Sequence, residues 1–351
     1  GTSLIMGQQI AQQKGLLAFF VWAICNSLTL ALFGFLYNKK LIKPEIYKKK
    51  EVKIIALIIQ LFCLLVQLNF INQQFFKIFG NPIISYLITT VIGFVFTLIV
   101  FKKGLPTSIK TDITQWLLAI GTIVAIIAIG FIGNVPHQTF MPTTMSGILW
   151  GIWSGLILFA GPIGDVQHWQ RAEADSSKKG YYLGAGLFAM YMMLILGMAY
   201  FQFNMVMNII LLATVLCVTT STIDSIAVAL HELGNKKIGT SIALLMCIGW
   251  GLFVKMGMIE LWSAFGVIRF AFAVAILTLP LCYKKNFKIA LPALIGALVI
   301  MIVFTAMGQY AITNIFGLIC FSIAVVILGY DLINLFKKGK IQYEAKNYKA
   351  N

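Results

Sequence analysis

Acidic side chains are scarce: 351 residues hold 11 Asp and Glu against 27 Lys and Arg, and charged residues of both signs amount to 11%. So few charges cannot cover the surface of a soluble domain this long. With 60% hydrophobic residues and a mean hydropathy of +0.91, the chain reads as an all-α polytopic membrane protein whose first partner is the lipid bilayer. Histidine is rarer still. His137, His168 and His231 stand far apart without ligand spacing, and no Gly-rich phosphate loop or nucleophile motif appears, which argues against an enzyme. The six cysteines, Cys25, Cys63, Cys217, Cys247, Cys282 and Cys320, all fall in apolar segments without metal spacing, so they read as small core residues rather than a disulfide framework. The sequence also lacks an initiator Met and a signal-peptide pattern, and the expectation is that it starts partway through a larger protein.

What is there is a succession of apolar segments. After an opening stretch of about fourteen residues, too short to span, they fall at roughly 15–38, 53–73, 81–101, 113–134, 145–174, 181–203, 205–230, 238–256, 259–283, 288–308 and 311–336. The net charge of +16 would suggest nucleic acid in a soluble chain; here the basic residues gather between spans and in every second gap, so no nucleic-acid partner is expected. Lys39 to Lys53, Lys102 to Lys110, Arg171 to Lys179, Lys236 and Lys237, Lys284 to Lys288 and the tail after Lys337 carry most of them. By the positive-inside rule these gaps and the C-terminus are cytoplasmic, His137 is outside, and Gly1 sits within the membrane. The expected organisation is one transmembrane domain over residues 1–336 and a basic cytoplasmic tail over 337–351, in the plasma (inner) membrane.

Two stretches break the apolar pattern. Within 145–176 the run Ala160-Gly-Pro-Ile-Gly-Asp165 removes a backbone donor and places a carboxylate after the break, and unwound backbone at this depth survives only where it lines a cavity. The opening stretch carries Gly1, Thr2, Ser3 and Gly7, so the first and sixth helices are both expected to be discontinuous, unwound near Thr2 to Ile5 and Gly161 to Asp165. Two broken helices five spans apart suggest an inverted repeat, spans 1–5 against 6–10, with a site at the midplane. The second stretch is Cys217-Val-Thr-Thr-Ser-Thr-Ile-Asp-Ser225. Its hydroxyls and carboxylate lie inside a segment apolar enough to span, with Ser221, Asp224 and Ser225 on one helical face. That face offers only oxygens, the ligands of a hard cation. The competing reading has each hydroxyl bonding back to its own helix carbonyl; six polar side chains in nine positions favour a lined site.

These residues together resemble the sodium:solute symporters, which have the LeuT-like fold. Gly164-Asp-Val-Gln-His-Trp-Gln-Arg-Ala-Glu-Ala-Asp-Ser176 resembles the family's sixth-helix motif, Val218-Thr-Thr-Ser-Thr-Ile-Asp-Ser225 resembles the eighth-helix segment whose adjacent hydroxyls bind sodium, and Gly1-Thr-Ser-Leu-Ile-Met-Gly7 is similar to the unwound part of the first helix. The resemblance implies a 5+5 inverted repeat with two further C-terminal helices. It also implies a Na+ site made by the Ser221 and Thr222 side chains with the carbonyls of Val218, Thr2 and Ile5. The sequence departs from the family at Asp165, where a neutral amide is usual, and at Asp224, which stands one turn beyond the hydroxyl pair and could supply a second cation or proton site.

Arg269 lies about ten residues into the tenth span and needs a partner there. Two readings stand: it holds a substrate carboxylate or pairs switchably with Asp165 or Asp224, or it forms a fixed structural pair with Asp224. The function expected from the resemblance is sodium-coupled import of a small polar organic solute (amino acid, carboxylate or similar) by alternating access. The alternatives are a proton-coupled or uncoupled carrier of the same fold, and a transporter-like sensor.

Overall fold

A computed structural model describes residues 2–40, 42, 50–103, 105–159, 161–174, 179–233 and 235–250, with 259, 261, 262, 265, 266, 269, 315 and 319. The expected span over 288–308, the tail, and most of 259–283 and 311–336 lie outside the described residues. Those described form helices and no strand: α1 Thr2–Lys14, α2 Leu16–Asn38, α3 Lys50–Phe79, α4 Pro82–Lys103, α5 Leu105–Ile132, α6 Met145–Phe159, α7 Gly161–Gly164, α8 Val166–Ala174, α9 Gly180–Ala199, α10 Met205–Leu233 and α11 Lys236–Gly249. Among the described residues seven stretches are long and apolar enough to cross a bilayer, from Leu16–Asn38 to Met205–His231, and they overlap the first seven expected segments.

α3 and α10 form the middle of the bundle. α10 packs on α3, α4, α5 and α11, while α2 packs on α6 and α9, and α1 on α2 and α9. α4, α5 and α9 turn one side outward: Ile83, Leu87 and Val91 form such a stripe on α4, and Leu183, Leu187 and Met190 on α9, apolar side chains that suit lipid. The α2–α6 seam is set by glycine. A Cβ on Gly147 would stand 2.5 Å from the Lys14 carbonyl oxygen, on Gly151 3.1 Å from that of Ala18, and on Gly155 2.6 Å from Cys25 Sγ. Three glycines at i, i+4 and i+8 therefore let α6 close on the end of α1 at Gly147, on the α2 backbone at Gly151 and on the Cys25 side chain of α2 at Gly155. Gly15, at φ 91, makes the turn between α1 and α2 in a region other residues avoid.

The sixth helix is interrupted at Asp165, but Gly161–Gly164, expected to be unwound, forms a helical turn. α6 ends at Phe159, the single turn Gly161–Gly164 follows, Asp165 lies outside the helices, and α8 resumes at Val166. Pro162 brings no N–H to the ladder, and the chain continues through Asp165 N–H to Gly161 O (3.1 Å) and His168 N–H to Asp165 O (3.0 Å). The opening segment corrects the expectation. It is helical from Thr2 to Lys14, with Leu4, Ile5, Met6 and Ile10 buried, and a carbonyl inside an α-helix is engaged by the N–H four residues on. Gly7 serves packing there: a Cβ would meet Ile195 at 2.8 Å and Trp22 and Phe19 at 3.3 Å.

Candidate functional site

A cavity of roughly 300 Å³ opens between α1, α2, α3, α5, the α7–α8 break, α10 and the segment around Arg269. Ser3 from α1 and Gly161, Pro162 and Asp165 from the break share its wall, so the two segments singled out in the sequence meet at one place. Among the described residues its charged side chains form two separate ion pairs.

The first pair is Asp165 with Arg269. Asp165 sits where the helix is interrupted, and its Oδ2 accepts from Arg269 Nη1 at 2.9 Å, with side-chain exposures of 3% and 11%. The arginine is clamped. A Cβ on Gly161 would stand 3.1 Å from its guanidinium, one on Gly164 2.8 Å from its Cγ, and the guanidinium carbon lies 4.9 Å above the Phe265 ring. Glycine at both positions is what allows the side chain to lie along the break. Gln60 lies beside the carboxylate without hydrogen-bond geometry, and Gln67, one heptad on along α3, reaches the cavity wall. Of the two partners considered for Arg269, the geometry brings it to Asp165.

The second pair is Asp112 with Arg171. Arg171 Nη2 donates to Asp112 Oδ2 at 2.6 Å and to Ser225 Oγ at 2.7 Å, and Nη1 donates to the Gln167 carbonyl at 3.3 Å. Ser221 Oγ donates to the other Asp112 oxygen. α5, α8 and α10 are thereby tied through one carboxylate.

The hydroxyl stretch of α10 divides between the two readings set out from the sequence. Thr219 bonds back to the Val215 carbonyl (2.6 Å), Thr220 to Leu216 (2.5 Å), Thr222 to Val218 (3.0 Å) and Ser225 to Ser221 (2.8 Å). For these four the local bond is what the helix makes, as Ser and Thr in apolar helices commonly do. Ser221 differs, since its hydroxyl leaves the helix for Asp112. Ser221, Thr222 and Ser225 line the cavity, whereas among the described residues Val218, Ile5 and Asp224 are not part of its wall. Asp224 is buried and accepts from Ser225 Oγ at 3.3 Å. Thr2 begins α1.

Sequence reasoning missed Asp112, Asn26 and Gln67. Asp112 was placed just outside the span beginning at 113; the available signal was a lone carboxylate in an otherwise basic gap, with Arg171 at the end of the interrupted helix to meet it. Asn26 donates to Ser3 Oγ at 3.2 Å across the cavity, and an amide inside an apolar helix was the sign to follow. No protein-family model matches this chain, and no curated protein is significantly similar to it.

Proposed function

We propose that the chain is a sodium-coupled secondary transporter of the inverted-repeat kind, importing a small polar organic solute by alternating access. The observation that carries this reading is the cavity at the α7–α8 break, where an interrupted helix, a buried and a half-buried ion pair and the α10 hydroxyls converge. The packing pattern supports a repeat that exchanges α1–α5 with α6–α11. α3 packs on α4 as α10 packs on α11, α2 on α6 as α9 on α1, and α2 with α9, α3 with α10 and α4 with α11 meet as matched pairs. The 5+5 arrangement and the two further C-terminal helices belong to this proposal, as does a cytoplasmic C-terminus in the plasma membrane.

The fit of a sodium ion rests on donor chemistry. The Ser221 and Thr222 hydroxyls and the Asp112 carboxylate are oxygens on one stretch of wall, a set that suits a hard monovalent cation. Asp112 takes the place of the carbonyls expected from Thr2 and Ile5, which lie within a helix. When bound, the ion supplies a positive charge that holds α5 and α10 together and so favours one conformation over another. The thermal stability of purified protein in sodium, against potassium or choline at equal ionic strength, tests the reading without knowledge of the solute. A sodium-specific increase that shrinks in Ser221→Ala is expected, and stability indifferent to the cation contradicts it. A proton-coupled carrier of the same fold is the second reading, favoured by the buried Asp224 beside Ser225.

A further inference from the structure

The charges on the cavity wall bear on the kind of solute it takes, an inference that rests on the transport reading above. Among the described lining residues four are ionised, Asp112, Asp165, Arg171 and Arg269, two of each sign. Each is already bound to its opposite, at 2.6 Å for Arg171–Asp112 and 2.9 Å for Arg269–Asp165. The wall is thus formally neutral. We propose that the solute is electrically neutral, a small amide- or hydroxyl-bearing molecule, rather than an acid, an amine or an amino acid.

The argument is one of displacement. A carboxylate entering this cavity meets an Arg269 whose charge Asp165 already balances, so it either adds an uncompensated negative charge beside a carboxylate that is 3% exposed or strands that carboxylate by displacing it. An ammonium that takes Asp165 strands Arg269 in the same way. Breaking a buried pair on one side is among the costlier events in a protein interior. A zwitterion would avoid stranding either charge, but it has to part the two. Arg269 lies along Gly161 and Gly164 with the Phe265 ring under its guanidinium, a placement that the pair with Asp165 helps to fix. An uncharged solute asks for none of this. Hydroxyls and amides from Ser3, Asn26, Thr29, Gln67 and Gln167 reach the wall, and the Gln67 Oε1 is a buried acceptor with no hydrogen-bond partner, a group that gains from a donor brought by a ligand. Trp116, Phe188 and Trp262 supply apolar faces for the carbon skeleton, and the volume is at the small end of ligand cavities.

The test is thermal stabilisation of the purified protein in sodium by matched probes that share a carbon skeleton and differ in charge. One set is lactamide, lactate, 1-amino-2-propanol and alanine, and a second is glucitol, gluconate and glucosamine. The expected result is stabilisation by the uncharged member of at least one set, at a concentration about tenfold or more below any charged counterpart. In Asp165→Asn, which leaves Arg269 without its carboxylate, the carboxylate member should gain about tenfold, a shift in selectivity that a merely structural role would not produce. A charged or zwitterionic member preferred by the wild type overturns the solute class and leaves the transport reading standing. No stabilisation by any member, while sodium alone still stabilises, also counts against the solute class. Absence of both effects removes the solute class and the transport reading together.

Discussion

The Ser221 hydroxyl donates to the Asp112 carboxylate across the α5–α10 interface, while its neighbours Thr219, Thr220 and Thr222 bond back to their own helix. That difference separates a hydroxyl that donates to another helix from three that donate to their own, Thr220 also accepting from Gln115 of α5 at 3.3 Å. The same Asp112 also accepts from Arg171, so one carboxylate joins α5, α8 and α10. Removing Ser221 should therefore affect ion binding and helix coupling together. Ser221→Ala is expected to raise the sodium concentration for half-maximal stabilisation by roughly tenfold, equivalent to about 1.4 kcal/mol, with far less effect on the yield of folded protein. Titrating sodium against melting temperature measures it.

Arg171 presents a positive charge to Asp112 and Ser225, next to the hydroxyls proposed to hold the ion. A like charge so close disfavours a cation. Arg171→Gln should then increase apparent sodium affinity severalfold, whereas Asp112→Asn should abolish the sodium effect. Equal losses in both variants would mean that the pair is only structural, and the same titration distinguishes the cases.

Asp165 and Arg269 form the more deeply buried pair. Either single neutralisation, Asp165→Asn or Arg269→Gln, should destabilise by about 3–5 kcal/mol because the partner is left buried and uncompensated, and the double variant should recover much of that loss. A double-mutant cycle on thermal unfolding reads the coupling. Additive losses would show that the two side chains do not depend on each other.

Gly151→Leu should push α2 and α6 apart, since a Cβ there already meets the Ala18 backbone at 3.1 Å. Loss of monodisperse protein in detergent is the expected outcome, by the overpacking cost of about 1–3 kcal/mol or more. Gly184→Ala, with open space around it, serves as the control and should be silent.

Much of this architecture was legible in residue order. The first seven spans follow from apolar length alone, because the bilayer sets that length whatever the packing. An interruption next to Gly164 was legible too, since Pro and Gly act on the backbone locally, but it is confined to Asp165 and leaves Gly161–Gly164 helical. Thr2 to Ile5 misled the reading: Gly7 is there for close packing against Ile195, and a glycine demanded by a neighbouring side chain looks the same in a sequence as one demanded by an unwound turn. Gly147, Gly151 and Gly155 carried a readable small-residue stripe that the span-by-span reading passed over. Asp112 and Gln67 were harder. Nothing local marks them, because their significance comes from helices that meet only in the fold.

Equilibrium binding of radiolabelled sodium to the purified protein, compared between the wild type and Ser221→Ala, tests the central claim most directly. Saturable binding in the wild type that weakens by about tenfold in Ser221→Ala, at unchanged fold and yield, is the predicted result. Binding that is absent from the wild type, or identical in the two proteins, would contradict a sodium site at Ser221, and uptake driven by a pH gradient instead would favour the proton-coupled carrier.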